Sequence, residues 1–273
     1  MVIMNSIKNR SVLVTGAYGG MGRATVDILS QNGYRVFALD INADNVKCSD
    51  NVTWIKTDIT SETALKLAIE MIYKYTDHLD AILHFAGVYI LDSLVEMDVP
   101  CFEHIFDVNV MGAFAVNKIF MPMLRRGSKV IITTSELAPL DPLPFTGAYA
   151  VTKAALDKYA YSLRMELQLL GVDVSVIRAG AVKTKMLGVS TNALDKFCEK
   201  TKLYACNSVR FKRIVNGVET RCVLPVKVAQ KSIKILNVRR PKFVYNINRN
   251  PLLLMLNVLP RRIQCWIIRK ILQ

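Results

Sequence analysis

The sequence predicts an α/β fold: a doubly wound parallel sheet of about seven strands with helices on both faces, within a single domain. Three observations carry that prediction. Short apolar, β-branched runs alternate with helical patterns over the first 180 residues. A glycine-rich turn joins the first such run to the first helical one. The 273 residues, 52% hydrophobic and 21% charged, contain no internal repeat and no linker, and can bury one large core.

Ser11–Thr15 (SVLVT) is the first strand and Met21–Gln31 the first helix. Tyr34–Asp40 and Val52–Asp58 follow as strands, and a helix from Ser61 to Tyr75 opens on a Thr60/Ser61 cap. Leu79–His84 and Lys129–Thr134 are strands separated by a long helical stretch between Pro100 and Leu124. Gly147–Leu170 is helical and Val172–Ile177 is β-rich. Such alternation means βαβ units and a sheet covered on both faces. Residues 186–224 break the rhythm and are expected to form a flap over a site. Beyond Leu224 the pattern gives one helix, a short strand at Lys242–Tyr245 and an apolar, basic segment.

Composition excludes several classes. Disorder is excluded by the apolar content. No apolar run approaches the roughly 18 residues that span a bilayer, and Met1–Arg10 lacks a signal-peptide pattern. Six dispersed cysteines, without a CxxC pair, suit a reducing cytoplasmic location. His78, His84 and His104 have no ligand spacing, so no metal site is expected. The net charge of +14 is uneven: residues 1–200 carry 20 Lys+Arg against 21 Asp+Glu, while 201–273 carry 16 against Glu219 alone. A near-neutral main body argues against nucleic acid as partner.

Thr15–Gly22 (TGAYGGMG) lies between a strand and a helix, where glycines let the backbone approach a pyrophosphate and the helix N-terminus offers free N–H groups. The sheet is then of the Rossmann type. Asp40 ends the second strand 24 residues beyond Gly16. A carboxylate there accepts from both ribose hydroxyls and repels a 2′-phosphate, and no Arg follows; NAD(H) is favoured over NADP(H). Tyr149 and Lys153 share one helical face at i, i+4, where an ammonium can lower a phenol's pKa for proton exchange with an alcohol or ketone. Ser135 follows the strand Lys129–Thr134, at the sheet edge where α/β folds bind ligands.

On these motifs the chain resembles the classical short-chain dehydrogenase/reductase family over nearly its whole length, and its run Pro241–Tyr245, Leu252–Leu256 and Leu259-Pro260 resembles the ends of that family's steroid and retinol dehydrogenase branch. TGAYGGMG resembles that family's TGxxxGxG, Tyr149–Lys153 its YxxxK, Ser135 in TTSELA its serine and Asn109 in VNVMG its helix asparagine. The resemblance implies a tetrad of Asn109, Ser135, Tyr149 and Lys153, with Asn109 holding a water of a proton relay. It also implies cofactor contacts from Gly16, Tyr18, Gly20, Met21, Gly22, Asp40, Asp58, Ala86, Gly87, Tyr149 and Thr184, with Lys153 binding the nicotinamide ribose. Two motifs depart from the pattern: Phe85-Ala86-Gly87 stands for Asn-Ala-Gly, and Ala179-Gly180 for Pro-Gly.

The implied activity is an NAD(H)-dependent exchange between secondary alcohol and ketone, by a homodimer or homotetramer. The weighed alternative is a catalytically inactive NAD(H) sensor or scaffold. The loop also fits the TGxxGxxG of the extended, epimerase-like branch, whose larger substrate domain this length does not accommodate. Met186, Leu187, Leu194, Phe197, Leu203, Tyr204 and Phe211 make the flap apolar, for a lipophilic substrate such as a steroid or bile acid, or as cover for the core. Residues 251–273, divided by Pro260, place Ile263, Trp266, Ile267 and Ile271 at helical spacing opposite Arg261, Arg262 and Arg269. This basic apolar segment, 241–273, suits peripheral contact with an anionic membrane, packing on the domain, or an oligomer contact.

Overall fold

The computed structural model describes residues 10–43, 49–219 and 221–273, with the side chains of 185–192 and 216–219 left aside. The flap residues Met186 and Leu187 therefore lie outside the described side chains, and Cys48 outside the described residues. Seven parallel strands run β1 Ser11–Thr15, β2 Arg35–Asp40, β3 Val52–Lys56, β4 Leu79–His84, β5 Leu124–Ser135, β6 Asp173–Ala179 and β7 Val244–Ile247. Their order is β3-β2-β1-β4-β5-β6-β7. Winding reverses between β1 and β4, which opens a crevice at the carboxyl ends of those two strands.

The strands are apolar throughout because both faces are covered. Val12 and Val14 of β1 face one core with Val26 and Leu29 of α1 (Gly20–Gln31) and Val228 and Ile235 of α8 (Pro225–Asn237). Leu13 between them faces Leu65 of α2 (Glu62–Tyr73) and Val116 and Phe120 of α4 (Gly112–Phe120). Leu156 and Ala160 of α5 (Gly147–Leu167) pack on β5 and β6 beside them. Period-2 alternation thus meets period-3.6 stripes on both sides. Ser61 caps α2, accepting from the Ala64 amide at 3.2 Å.

Departures from the expected boundaries have local causes. β5 begins at Leu124, five residues before Lys129, because Leu124 pairs with Leu79 ahead of an irregularity that carries Gly127 at φ +93°. Charged Arg125 and Arg126 hide that first rung. β7 starts at Val244 because the ladder pairs Val176 with Val244. The long helical stretch resolves into α3 (Val99–Phe106), a π turn (Asp107–Met111), α4 and a 3₁₀ turn. Against expectation, Val99–Met123 is long and apolar enough, by length and composition alone, to cross a membrane. In the fold Ile105, Val116 and Phe120 are buried in it as a core layer.

The expected flap contains two helices, α6 (Lys185–Lys200) and α7 (Ala205–Glu219). Leu194, Phe197 and Phe211 from them are buried with Leu91, packed by Tyr89, Phe145 and Tyr204. The chain continues through α8 and β7 into α9 (Pro251–Val258) and α10 (Arg261–Leu272), separated at Leu259-Pro260.

Candidate active site

The loop after β1 is shaped by close approaches that admit only glycine. Gly16 has φ +63°, and a Cβ on it would lie 2.4 Å from the Ala86 amide nitrogen. A Cβ on Gly22 would lie 2.1 Å from the Gly16 carbonyl oxygen. The backbone therefore curls tightly into the N-terminus of α1, where unpaired amides and the helix dipole favour anionic groups.

A cleft of about 830 Å³ extends from this loop. It is lined by Gly16, Tyr18, Gly20, Met21 and Gly22, by Asp40 at the end of β2 and Asp58 beyond β3, by Ala86 and Gly87 beyond β4, and by Thr184 beyond β6. The Asp40 carboxylate accepts the Tyr18 and Asn42 amides, each at 2.9 Å, which fixes it at the rim with lone pairs to spare. Among the described residues no Lys or Arg lines the cleft. Phe85, in the place of the family's asparagine, is buried in the core under the loop, its amide donating to the Thr15 carbonyl at 3.1 Å. Gly180 follows β6 where the Asn248 carbonyl would stand 2.0 Å from any Cβ.

The four expected catalytic side chains meet beside this cleft. Asn109 sits in the π turn, whose extra residue turns it inward. Its Oδ1 accepts the Val88 amide at 2.8 Å, and its Nδ2 donates to the Val88 carbonyl at 3.0 Å and to Thr152 Oγ1 at 3.1 Å. Lys153 Nζ donates to the Thr133 carbonyl at 3.4 Å and lies 5.6 Å from the centre of the Tyr149 ring. Gly87 is where the two sets touch. It lines the cleft, and a Cβ on it would be 3.0 Å from Asn109 Oδ1 and 3.5 Å from Lys153 Nζ. Ser135 ends β5 rather than following it, and its hydroxyl interacts with the Tyr149 phenol.

Burial sets the protonation states. It lowers the Lys153 ammonium to about 8. It also raises the Tyr149 phenol well above its usual range, reinforced by Tyr89 and opposed by the Ser135 hydroxyl. The expected lowering of Tyr149 by Lys153 is absent from this arrangement: desolvation is the larger effect, and Nζ is turned to Thr133. A phenol that keeps its proton is a donor, suited to a carbonyl oxygen.

Three contributors are not read from sequence. The Tyr89 ring packs edge-on against Tyr149 at 4.8 Å; its position just beyond the FAG turn is the one signal for it. Phe145, at φ +66°, touches Phe197, Tyr204 and Phe211 at 4.7, 5.2 and 5.3 Å and packs α6, α7 and the turn between them, together called the lid for the flap expected there, against the turn that leads into α5. Buried Glu136 accepts the Asn250 amide at 2.6 Å, tying the turn after Ser135 to the start of α9, and its burial raises its carboxyl pKa.

A doubly wound sheet with a glycine cradle at its switch point and a Tyr–Lys–Ser–Asn group beside it defines a dinucleotide-dependent oxidoreductase architecture. Residues 10–195 match the family described as short chain dehydrogenase, and the chain belongs to that family, which uses nicotinamide cofactors. It is 33% identical over 193 residues to the NADPH-dependent 1-acyldihydroxyacetone phosphate reductase of Schizosaccharomyces pombe, covering 67% of this chain and 64% of that one. It is likewise 33% identical over 202 residues to estradiol 17-beta-dehydrogenase 2 of Mus musculus, covering 70% and 52%. The matches thus span about half to two thirds of those relatives. The fold superposes on a short-chain dehydrogenase from Streptomyces avermitilis with a TM-score of 0.76, at 20% identity over 88% of each chain.

Proposed function

We propose that the protein transfers hydride between NAD(H) and a secondary alcohol or ketone, acting on a lipophilic substrate such as a steroid, bile acid or other lipid alcohol. The observation that carries this reading is the meeting at Gly87 of the 830 Å³ cleft with Asn109 and Lys153, one helical turn from Tyr149. The residues present fit a dinucleotide: the cradle around Gly16 and Gly22 leaves backbone amides open to a pyrophosphate, and Asp40 stands where ribose hydroxyls would lie. When bound, a nicotinamide ring supplies or accepts the hydride.

In reduction, Tyr149 gives its proton to the carbonyl oxygen while the Ser135 hydroxyl donates a hydrogen bond to that oxygen and orients it. Lys153, lowered to about 8 by burial, stands 5.6 Å from the centre of the Tyr149 ring, from where a proton could be passed through a water to the phenol oxygen. Asn109 keeps the β4 turn and α5 in register through Val88 and Thr152. Its amide position also suits the water of a proton relay.

NAD(H) is favoured over NADP(H) because the Asp40 carboxylate would repel a 2′-phosphate and no described cation lines the cleft to hold one. The S. pombe relative is NADPH-dependent by name, so this choice rests on this chain's own cleft, on Asp40 and the lack of a described lining cation, and not on that relative. The aromatic contact of Tyr89 on Tyr149 supports an apolar substrate, and the named substrates of the two relatives are an acyl lipid phosphate and a steroid. Three of the expected flap residues, Leu194, Phe197 and Phe211, form the interior of the lid itself. Phe114, Tyr161 and Met165 are exposed on α4 and α5, a surface that a second copy would cover in a cytoplasmic homodimer or homotetramer.

Purified protein with NADH should reduce a member of a panel of ketosteroids, bile-acid ketones, aliphatic ketones and sugars. Tyr149→Phe should abolish turnover and retain NADH binding; persistent turnover refutes the mechanism. Asp40→Ala should erode the preference for NADH. A wild-type preference for NADPH refutes the cofactor reading, and activity on sugars alone refutes the substrate class.

A further inference from the structure

We propose that the outward faces of α9 and α10 form a docking surface for an anionic lipid bilayer. The inward faces are already committed. Ile268 and Leu272 of α10 pack into the lid cluster of Leu194, Phe197 and Phe211, and Asn207 Nδ2 donates to the Leu272 carbonyl at 2.7 Å. Gln264 is buried and donates to the Leu259 carbonyl at 2.9 Å and to Asp141 at 3.3 Å. The Asp141 amide donates to Asn257 of α9 at 2.6 Å, and Asp141 pairs with Arg261 at 3.1 Å. The two helices are thus held in one orientation by different residues from those that the apolar spacing singles out.

What that orientation leaves in water is the apolar face itself. Met255 and Val258 of α9 are 69% and 84% exposed, Trp266 of α10 is 61% exposed, and Ile263 and Ile271 are exposed beside it. The face cannot turn inward without breaking the Gln264 and Leu272 contacts. Lys270 lies on this face by helical spacing, and Arg262 and Arg269, expected opposite the stripe as a whole, flank it on the Trp266 side, one turn before and one turn after that residue. Arg261, expected among the free basic groups, is instead engaged by Asp141.

Charge identifies the occupant. Helices α9 and α10 carry Arg261, Arg262, Arg269 and Lys270 and no Asp or Glu. A second copy docked face to face would oppose that positive charge with its own, whereas anionic headgroups neutralise it. Tryptophan and methionine between Arg and Lys suit the boundary of headgroup and acyl chain. Helices of 8 and 12 residues are too short to span a bilayer and would lie in its surface.

The test uses the full chain without cofactor or substrate, so that its outcome is separate from that of the activity assays. Phosphatidylcholine vesicles containing phosphatidylserine should sediment the protein, vesicles of phosphatidylcholine alone should do so weakly, and added salt should reduce binding. Binding should shift the tryptophan emission to the blue, an effect lost in Trp266→Phe. The triple variant Met255→Glu/Val258→Glu/Trp266→Glu, changed only at exposed positions, should lose at least about tenfold in vesicle partitioning with its melting temperature and NADH affinity unchanged. Arg262→Gln/Arg269→Gln should remove most of the salt-sensitive part. A wild-type chain that stays in the supernatant, or a triple variant that sediments like wild type, overturns the proposal. Self-association abolished by the triple variant, with no vesicle binding by wild type, assigns the face to a second copy instead.

Discussion

Lys153→Met should stabilise the protein at neutral pH while removing its activity. Lys153 is buried, and burial brings its ammonium from the ordinary 10.5 to about 8. At 1.36 kcal/mol per pH unit, the native state at pH 7 carries a cost of about 3 kcal/mol for keeping that charge. Methionine fills the same stem volume without the ammonium. The variant forfeits the 3.4 Å hydrogen bond to the Thr133 carbonyl, worth about 1 kcal/mol. A net gain of about 2 kcal/mol remains, or roughly 4–8 °C in melting temperature for a chain of this size. The pH dependence gives the argument its sign. Below pH 8 both folded and unfolded Lys153 are protonated and the cost is complete. Between about 8 and 10.5 the unfolded chain binds more protons, so wild-type stability rises with pH relative to the variant. By pH 9.5 the advantage of Lys153→Met should have fallen by about 2 kcal/mol, leaving the two nearly level. Urea unfolding of both proteins at pH 7 and pH 9.5 measures it. A variant less stable than wild type at pH 7, or a difference that does not move with pH, would show that the ammonium is not desolvated as described.

Gly22→Ala should weaken NADH binding by more than about tenfold and lower the melting temperature, because its Cβ would be driven to 2.1 Å from the Gly16 carbonyl; an unchanged affinity by calorimetric titration would mean that the loop does not hold the pyrophosphate. His84, fully buried with its Nε2 on Asn117 Oδ1 at 2.9 Å, is lowered to about 4 by burial. The unfolded chain protonates it near 6.5, so stability should fall by up to about 3 kcal/mol as pH drops from 6.5 to 4, and His84→Gln should flatten that part of the urea-midpoint profile. Asp157→Ala would strip Arg178 of its bidentate partner at 2.7 and 3.0 Å and Thr134 of its acceptor, at a cost of about 3 kcal/mol in chemical denaturation. A loss below about 1 kcal/mol would show that Arg178 finds another partner or reaches water.

The parts of this molecule legible in its sequence are those in which a local pattern and a long-range need coincide. Ser11–Thr15 and Leu79–His84 are read to the residue because strands at the centre of a parallel sheet are apolar on both faces. The glycine loop is legible because a close backbone approach admits no Cβ, as Gly16 against Ala86 makes plain. Asn109 is recognised by its motif, but not the π turn that presents it, since that turn differs from an α-helix by one residue with no side-chain signature. Phe145 is illegible for a related reason: a positive φ normally asks for glycine or asparagine, and here the packing of three lid rings holds a phenylalanine in it. The C-terminal helices show the deeper limit. Periodicity identifies Ile263, Trp266, Ile267 and Ile271 as one stripe, and a stripe is ordinarily read as the face that packs. The protein packs the Gln264–Ile268–Leu272 side instead, because Asp141 and the Leu259 carbonyl receive the Gln264 amide and the lid receives the two aliphatic chains. A helix with two faces capable of burial does not declare which is used; that is decided by partners as distant in the chain as Asp141, and the outcome leaves Ile263, Trp266 and Ile271 of the apolar stripe facing water.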